Sequence, residues 1–502
     1  MQEWLIGLDQ VFQWSNLLLL FLGVLIGLTF ASLPGLNNIT AMVLMMPFCF
    51  EMDPIPAMIF MAAIYGGGIH GGCILAILFR IPGEPQSVCT CFDGAPMAAQ
   101  GKSGEALGIA FLFSSLGGLF GVIACIICAP ILGRIALMFG PTDYFAFVFF
   151  GLCVASCVGA TSPLRGLISA CAGLMLSLVG VSPGSGVLRY TADIHILAMG
   201  IKYVPIIMGV FAIAELFKMV MEGKTAAEGE FTGSGVPTWM VNIPSLSFIR
   251  KAFKTYIRSS FVGTLIGFLP GAGATASSFV SYGLEQKYSK DPSSYGKGNP
   301  LGIVASETAN NASYGGAMIP MLTMGIPGSS STAVMLGILM LKGITPSPEV
   351  FMSMPNLVYS VFVAMVVINF IMFGESLFFG RLYLNLMKLP RSVICFIIVT
   401  FCVVGTFSLR SSIEDVWIMA IFGVIGYIMM KCDFPVASLV LGVILGDMAE
   451  TSFIQSLDMA GSPNPLVFFS TPVSASLMII GVLVLIWPVL KKIYGRRKAV
   501  AA

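Results

Sequence analysis

The sequence predicts an all-α polytopic membrane protein of about 10–12 transmembrane helices, arranged as two inverted repeats with broken or re-entrant helices. Three observations predict it. Of the 502 residues, 57% are apolar and 10% charged, whereas an ordinary globular domain carries about 25% charged residues. That much apolar surface cannot be buried in a soluble core, so the bilayer is the solvent. Apolar runs approaching the roughly 20 residues needed to span a bilayer recur along the chain. A backbone-breaking motif also occurs twice: Gly27–Gly35 reads GLTFASLPG and Gly263–Gly271 reads GTLIGFLPG.

The clearest spanning cores are Leu17–Phe30, Ile109–Ile131, Phe145–Ala160, Leu357–Phe373, Ser392–Phe407, Val416–Met430, Val436–Leu445 and Val473–Leu490. The N-terminus lacks a basic stretch and a small-residue cleavage site, so no cleavable signal is expected there. Residues 1–222 read as a first membrane half and 223–258 as a polar cytoplasmic linker with an interfacial helix. Residues 259–410 form the second half and 411–502 hold extra C-terminal helices. The net charge of +2 and the lack of a long basic patch give no reason to expect nucleic acid. Twelve cysteines are scattered through apolar stretches. Cys125 and Cys128 read as apolar filling of a helix. Cys89 and Cys91 lie in a loop-like region open to exposure. No zinc site or disulfide framework is indicated.

Lys and Arg placement sets the orientation. Residues 1–16 contain neither. Arg250, Lys251, Lys254 and Arg258 precede the second motif, and Lys491, Lys492, Arg496, Arg497 and Lys498 follow the last span. The linker and C-terminus are therefore expected in the cytoplasm and the N-terminus outside. The two motifs are then entered from opposite faces, which makes the repeat inverted. Lys287, Lys290 and Lys297 offer a second possibility. If their loop is also cytoplasmic, the segment before it is a re-entrant hairpin.

Broken backbone carries the candidate chemistry. Pro34-Gly35 leads to Asn37, Asn38 and Thr40, while Pro270-Gly271 leads to Gly273 and Thr275. Proline removes a helical hydrogen bond and glycine permits conformations closed to other residues. Such backbone persists at bilayer depth only inside protein or against a wet cavity. N–H groups at a following helix start attract an anion, and freed carbonyls attract a cation. The alternative is a kinked packing helix. A second matched pair follows: Gly71-Gly72 before Ile81-Pro82-Gly83, and Gly315-Gly316 before Ile326-Pro327-Gly328. Ser329, Ser330, Ser331 and Thr332 suit a helix start facing a carboxylate. Glu84, at the matching place, would oppose an anion and reads as a gate or ion residue.

Ser306-Glu307-Thr308-Ala309-Asn310-Asn311 is the sharpest polar cluster, placed before the expected break at Gly315-Gly316. A carboxylate, a hydroxyl and two amides are expensive in a membrane and usually face a cavity. Their oxygens suit a hard cation such as Na⁺, so Glu307, Thr308, Asn310 and Asn311 are the candidate cation ligands. The alternative is an interfacial helix end capped by Ser306. His70, in a glycine-rich run, either titrates or bonds substrate, or simply bonds a backbone carbonyl. Glu450 either lines a gate or pairs with a basic residue, the pairing being favoured. Gln100-Gly101-Lys102-Ser103 resembles a P-loop end but lacks the first glycine, where Pro96 stands. An intramembrane enzyme would need a paired catalytic set that two histidines do not provide. A non-transporting scaffold would not require duplicated broken segments.

The combination of Leu33-Pro34-Gly35, Gly71-Gly72, Ile81-Pro82-Gly83, Asp93-Gly-x-Pro-Met97 with Gly101–Gly108, Leu269–Gly273, Glu307–Asn311 and Gly325–Ser329 resembles the large membrane subunit of the tripartite tricarboxylate transporters, the TctA family. The resemblance covers essentially the whole chain. It implies a bacterial inner-membrane secondary transporter of citrate or other carboxylates, driven by a Na⁺ or H⁺ gradient, with no cofactor. It also implies a small four-span subunit, a periplasmic solute-binding protein, re-entrant hairpins and an elevator-like movement. From the broken Pro-Gly segments of both halves, Pro34, Gly35, Asn37, Asn38, Thr40, Pro82, Gly83, Pro270, Gly271, Gly273, Thr275, Pro327, Gly328, Ser329 and Ser330 are expected around the substrate. Four departures stand out. Asn37 replaces a second glycine, Ala31 stands where the second half has Gly267, and His70 replaces a common Tyr. No Arg follows Glu450, where Phe453, Ile454 and Gln455 stand. Asn37 and Asn38 are expected to offer amide donors to a carboxylate.

Overall fold

The computed structural model describes residues 2–158, 162–183, 185–221, 241–271, 273–344, 347–379, 390–461 and 463–500. Numbering only helices of eight residues or more, the first half runs α1 (Gln2–Val11), α2 (Trp14–Ala31), α3 (Asn38–Met45), α4 (Pro54–Phe79), α5 (Val88–Ala99), α6 (Ser103–Ala136), α7 (Pro141–Val158) and α8 (Pro163–Ser177). A small antiparallel hairpin, Gly180–Val181 with Leu188–Arg189, follows, then α9 (Tyr203–Met221). The second half runs α10 (Leu246–Phe268), α11 (Gly273–Tyr288), α12 (Pro300–Met324), α13 (Ser330–Leu341), α14 (Pro355–Phe378), α15 (Arg391–Arg410), α16 (Ile413–Lys431), α17 (Val436–Ala460) and α18 (Pro472–Val500). Proline opens α4, α7, α8, α12, α14 and α18, at the position where its missing N–H has no helical partner to lose.

Among the described residues, eight helices are long and apolar enough to cross a membrane: α2, α4, α6, α9, α14, α15, α16 and α17. That is fewer than the ten to twelve passes expected; α7, α8 and α13 are among the apolar helices with shorter apolar stretches. Helix α12, 25 residues long, falls outside that set because its polar run lowers its hydropathy. The apolar faces of α15 and α16 are largely exposed, with Phe396, Val404, Trp417 and Ile421 turned outward. Lipid is the solvent that makes such a surface tolerable.

The stretch from Leu246 to Arg258 is helical and continuous with the second motif. Helix α10 then breaks at Leu269–Gly271, and α11 returns beside it. Ser281 Oγ donates to Ser259 Oγ at 2.8 Å, and Arg258 pairs with Glu285 four residues further on. Helix α11 therefore runs back antiparallel along the part of α10 from Arg258 to the break.

Glycines set how closely the long helices pack, as small residues do in membranes. A Cβ on Gly27 would strike the backbone of Ile64, and one on Gly263 would strike that of Ala309. Gly71 meets Leu28 as Gly316 meets Thr264, while Gly83 meets Gly72 as Gly328 meets Ala317. The same contacts thus occur twice. They correct the expected alignment by one residue: Gly71 is equivalent to Gly316, and Gly72 to Ala317. They also correct the expected break at Gly315-Gly316, because α12 runs unbroken through it. Gly315 is there to let the backbone of Gly121 on α6 approach.

Helices α4 and α12 are the equivalent central helices, and they cross antiparallel. Tyr65 packs edge-on against Tyr314, with ring centroids 4.9 Å apart, and Asn310 Nδ2 lies 3.5 Å from the Ile69 carbonyl. Tyr65 is the equivalent of Asn310, and Ile69 of Tyr314. The two contacts therefore exchange with each other, as expected of a two-fold relation between the repeats.

Candidate functional site

Each half contributes a hairpin tip and a Pro-Gly turn to one place. At the first tip, Asn37 caps α3, its side-chain oxygen accepting from Thr40 N at 2.9 Å. The backbone N–H of Asn38 donates to the Glu84 carboxylate. A Cβ on Gly68 would fall on Asn38 Cβ, so glycine there lets the tip seat against α4. At the second tip, Gly271 adopts φ 75° against Ala155, and its N–H donates to the Gly328 carbonyl at 3.2 Å. Helix α13 starts with a reciprocal cap: Thr332 N donates to Ser329 Oγ, and Ser329 N donates to Thr332 Oγ1. At these tips Asn38 Nδ2 donates to Ser331 Oγ and Tyr65 bonds with Ser329, each at 3.0 Å, from one half to the other.

Between these tips lies a cavity of about 550 Å³. Its lining includes Asn37, Asn38, Tyr65, Glu84, Gln86, Gly271, Gly273, Thr275, Phe279, Ser329, Ser330 and Ser331. Ala155 of α7 and Ala437, Ser438 and Leu441 of α17 close it. Of the expected substrate residues, Asn37, Asn38, Gly271, Gly273, Thr275, Ser329 and Ser330 therefore line one cavity. Pro34, Gly35, Thr40, Pro82, Gly83, Pro270, Pro327 and Gly328 do not. They shape the turns behind it: Gly35 faces Met219, and Gly83 lies against the Ala31 carbonyl. Asn37 Oδ1 accepts from Thr40, which leaves the Asn37 Nδ2 group as the donor expected of it, while Asn38 Nδ2 donates to Ser331 Oγ.

The polar cluster of α12 is buried apart from this cavity. Glu307 is fully buried and accepts from Thr90 of α5 and from Ser114 of α6, the latter at 2.8 Å. Thr90 also meets Ser306 Oγ at 3.1 Å. Asn311 donates to the Glu307 carbonyl, while Thr308 Oγ1 and Asn310 Oδ1 are buried without a hydrogen-bond partner. Ser306 is not a cap. It lies inside α12, whose cap is Asn299.

Thr90 and Ser114 were not singled out from the sequence. Ser114 is a hydroxyl inside the apolar run of α6, which is the signal available for it. The neighbouring cysteines also move. Cys89 and Cys91 belong to α5 and are buried, not looped and exposed. Asp93 of α5 is buried and holds the start of α12. Its Oδ1 accepts from the backbone N–H groups of Gly296, Gly298 and Asn299 at 2.8–2.9 Å, and its Oδ2 from Tyr282. Nearby, burial pushes the Tyr295 phenol up to about 12, so it stays a donor to Glu285 at 2.9 Å. His70 is buried with its ring on Phe111, 5.3 Å between centroids, and neither ring nitrogen has a hydrogen-bond partner. The carbonyl bond expected of it is absent.

The sequence model of the tripartite tricarboxylate transporter TctA family matches residues 17–441. The chain belongs to the TctA family. It is 31% identical over 495 residues to an uncharacterized 52.8 kDa protein in the TAR-I ttuC' 3' region of Agrobacterium vitis, covering 99% of this chain and 97% of that one. It is also 32% identical over 238 residues to an uncharacterized protein in the TAR-II ttuC' 3' region of the same organism, covering 47% of this chain and 98% of that one. No solved structure matches. A TctA-family chain with these helices is a multi-pass membrane protein and a transporter subunit. In this member Glu450 takes its basic partner from far away in sequence. Arg189, on the small hairpin, pairs with it at 2.7 Å.

Proposed function

We propose that this chain is the translocating subunit of a secondary active importer in the bacterial inner membrane. It carries citrate-like tricarboxylates or other small organic anions, driven by coupling to a Na⁺ or H⁺ gradient. A periplasmic solute-binding protein delivers the substrate, and a small four-span membrane subunit completes the complex. The N-terminus is periplasmic and the C-terminus cytoplasmic. One arrangement supports the reading most: the cavity between the broken tips of both halves. Helices α11 and α13 begin at it, and helix starts favour negative charge. A site on the pseudo-two-fold between inverted halves suits exposure to each side in turn by elevator-like movement.

The coupling cation sits at Glu307 with Thr308, Asn310 and Asn311. A charged carboxylate sealed in a membrane core is costly unless compensated. Buried acceptors left unpaired, as at Thr308 and Asn310, call for a missing partner, and a proton or Na⁺ supplies one.

The test is uptake of labelled citrate and a panel of di- and monocarboxylates into proteoliposomes. These hold the chain with its small subunit, with binding protein outside and an inward Na⁺ or pH gradient imposed or collapsed. Gradient-dependent uptake is the expected result. Silence across the panel with inserted protein would favour a scaffold role. Glu307→Gln is expected to abolish cation stimulation while the protein still inserts. Unchanged cation dependence in that variant would remove Glu307 from the assignment.

A further inference from the structure

The cavity is chemically polarised. None of its described lining residues is Lys, Arg or His, and Glu84 is the one acid among them. Glu84 is 2% exposed. One of its oxygens accepts the N–H of Asn38 at the start of α3. The other has only Gln86 Nε2, at 3.5 Å, which is at the outer limit of a hydrogen bond. The start of α3 is thus already occupied by the protein's own carboxylate. The starts of α11 and α13 meet the cavity with Gly273, Thr275 and Ser330 instead. A ligand carboxylate meets helix starts at the α11–α13 end and the protein's own carboxyl at the Glu84 end.

Resting on the transporter reading above, we propose that the cavity selects carboxylates that carry their own hydroxyl. The carboxylate lies at the starts of α11 and α13, and the hydroxyl donates to the under-used oxygen of Glu84. Glu84 is then a specificity-determining residue. An analogue without the hydroxyl leaves that buried oxygen under-paired, and a site built to bond a hydroxyl rejects such analogues strongly.

The experiment uses acid pairs that differ by one hydroxyl: citrate and tricarballylate, malate and succinate, lactate and propionate. Uptake of each labelled acid is measured in proteoliposomes holding the full chain and its partner subunits. In the wild type, the hydroxylated member of every transported pair is expected to be favoured by at least about tenfold, the value of a hydrogen bond to a charged group. Glu84→Gln is expected to cut that preference below about threefold. Equal transport within pairs by the wild type overturns the proposal without touching the transporter reading. So does a full preference retained by Glu84→Gln. If that variant does not insert, Glu84→Asp, which withdraws the carboxylate by one methylene, is expected to weaken the preference, and an undiminished one overturns the proposal. Transport of none of the six acids by inserted wild type removes the transporter reading, and the proposal falls with it.

Discussion

The turn after α4 and the turn after α12 have the same three residues, Ile81-Pro82-Gly83 and Ile326-Pro327-Gly328, and the next residue separates them. In the first turn the Glu84 carboxyl accepts the N–H at the start of α3. In the second Ser329 caps its own helix and meets Tyr65. The backbone of the repeat is kept while the side chains at the cavity diverge. A binding site formed by two related halves need not be symmetric: sharing the glycine contacts preserves the frame, and one substitution per turn gives each end its own polar group.

The largest effect is expected where the frame itself differs. Ala31 stands in the first half where Gly267 stands in the second, and a Cβ on Gly267 would strike the backbone of Ser313. Gly267→Ala is expected to cost about 2–3 kcal/mol, because backbone cannot yield as a side chain can. Ala31→Gly should cost under about 1 kcal/mol. Thermal unfolding of the purified variants in detergent compares them, and equal losses would mean that the two packing sites are not distinct. A smaller loss, about 1 kcal/mol, is expected for Ser329→Ala, which removes the cap of α13. The same unfolding measurement checks it, and a neutral result would mean that the cap adds nothing to the turn. The smallest effect concerns the ends of the central helices. Gly325 ends α12 with φ 67°, while Arg80 ends α4 with φ 57°. Left-handed backbone is strained for a residue with a Cβ. Arg80→Gly should therefore raise stability by up to about 1 kcal/mol, visible as a higher melting temperature. A lowered one would show that the Arg80 side chain contributes more than its backbone costs.

Much of this was legible from residue order. The duplicated Leu-Pro-Gly and Ile-Pro-Gly turns could be placed because proline and glycine act on local backbone. Glu307 stood out because a carboxylate in an apolar run is rare. Its hydroxyl donors could not be found so easily. Thr90 and Ser114 lie far from Glu307 in sequence and meet it only when α5 and α6 pack against α12. The role of the glycine pairs was misread for a related reason. Glycine in a helix has the same local signature whether it breaks the helix or admits a neighbour, and the neighbours, Gly121 and Thr264, belong to other helices.

Composition and motif order by themselves determined a membrane-spanning helical chain with two matched, broken halves, because hydropathy and backbone chemistry act within a few residues. Tertiary structure alone decided which broken ends share a cavity, that Asn38 meets Ser331, and that Glu84 faces the cavity while Glu307 does not. Those outcomes depend on the antiparallel crossing of α4 and α12. Contacts between residues hundreds of positions apart set that crossing, and no local pattern encodes them.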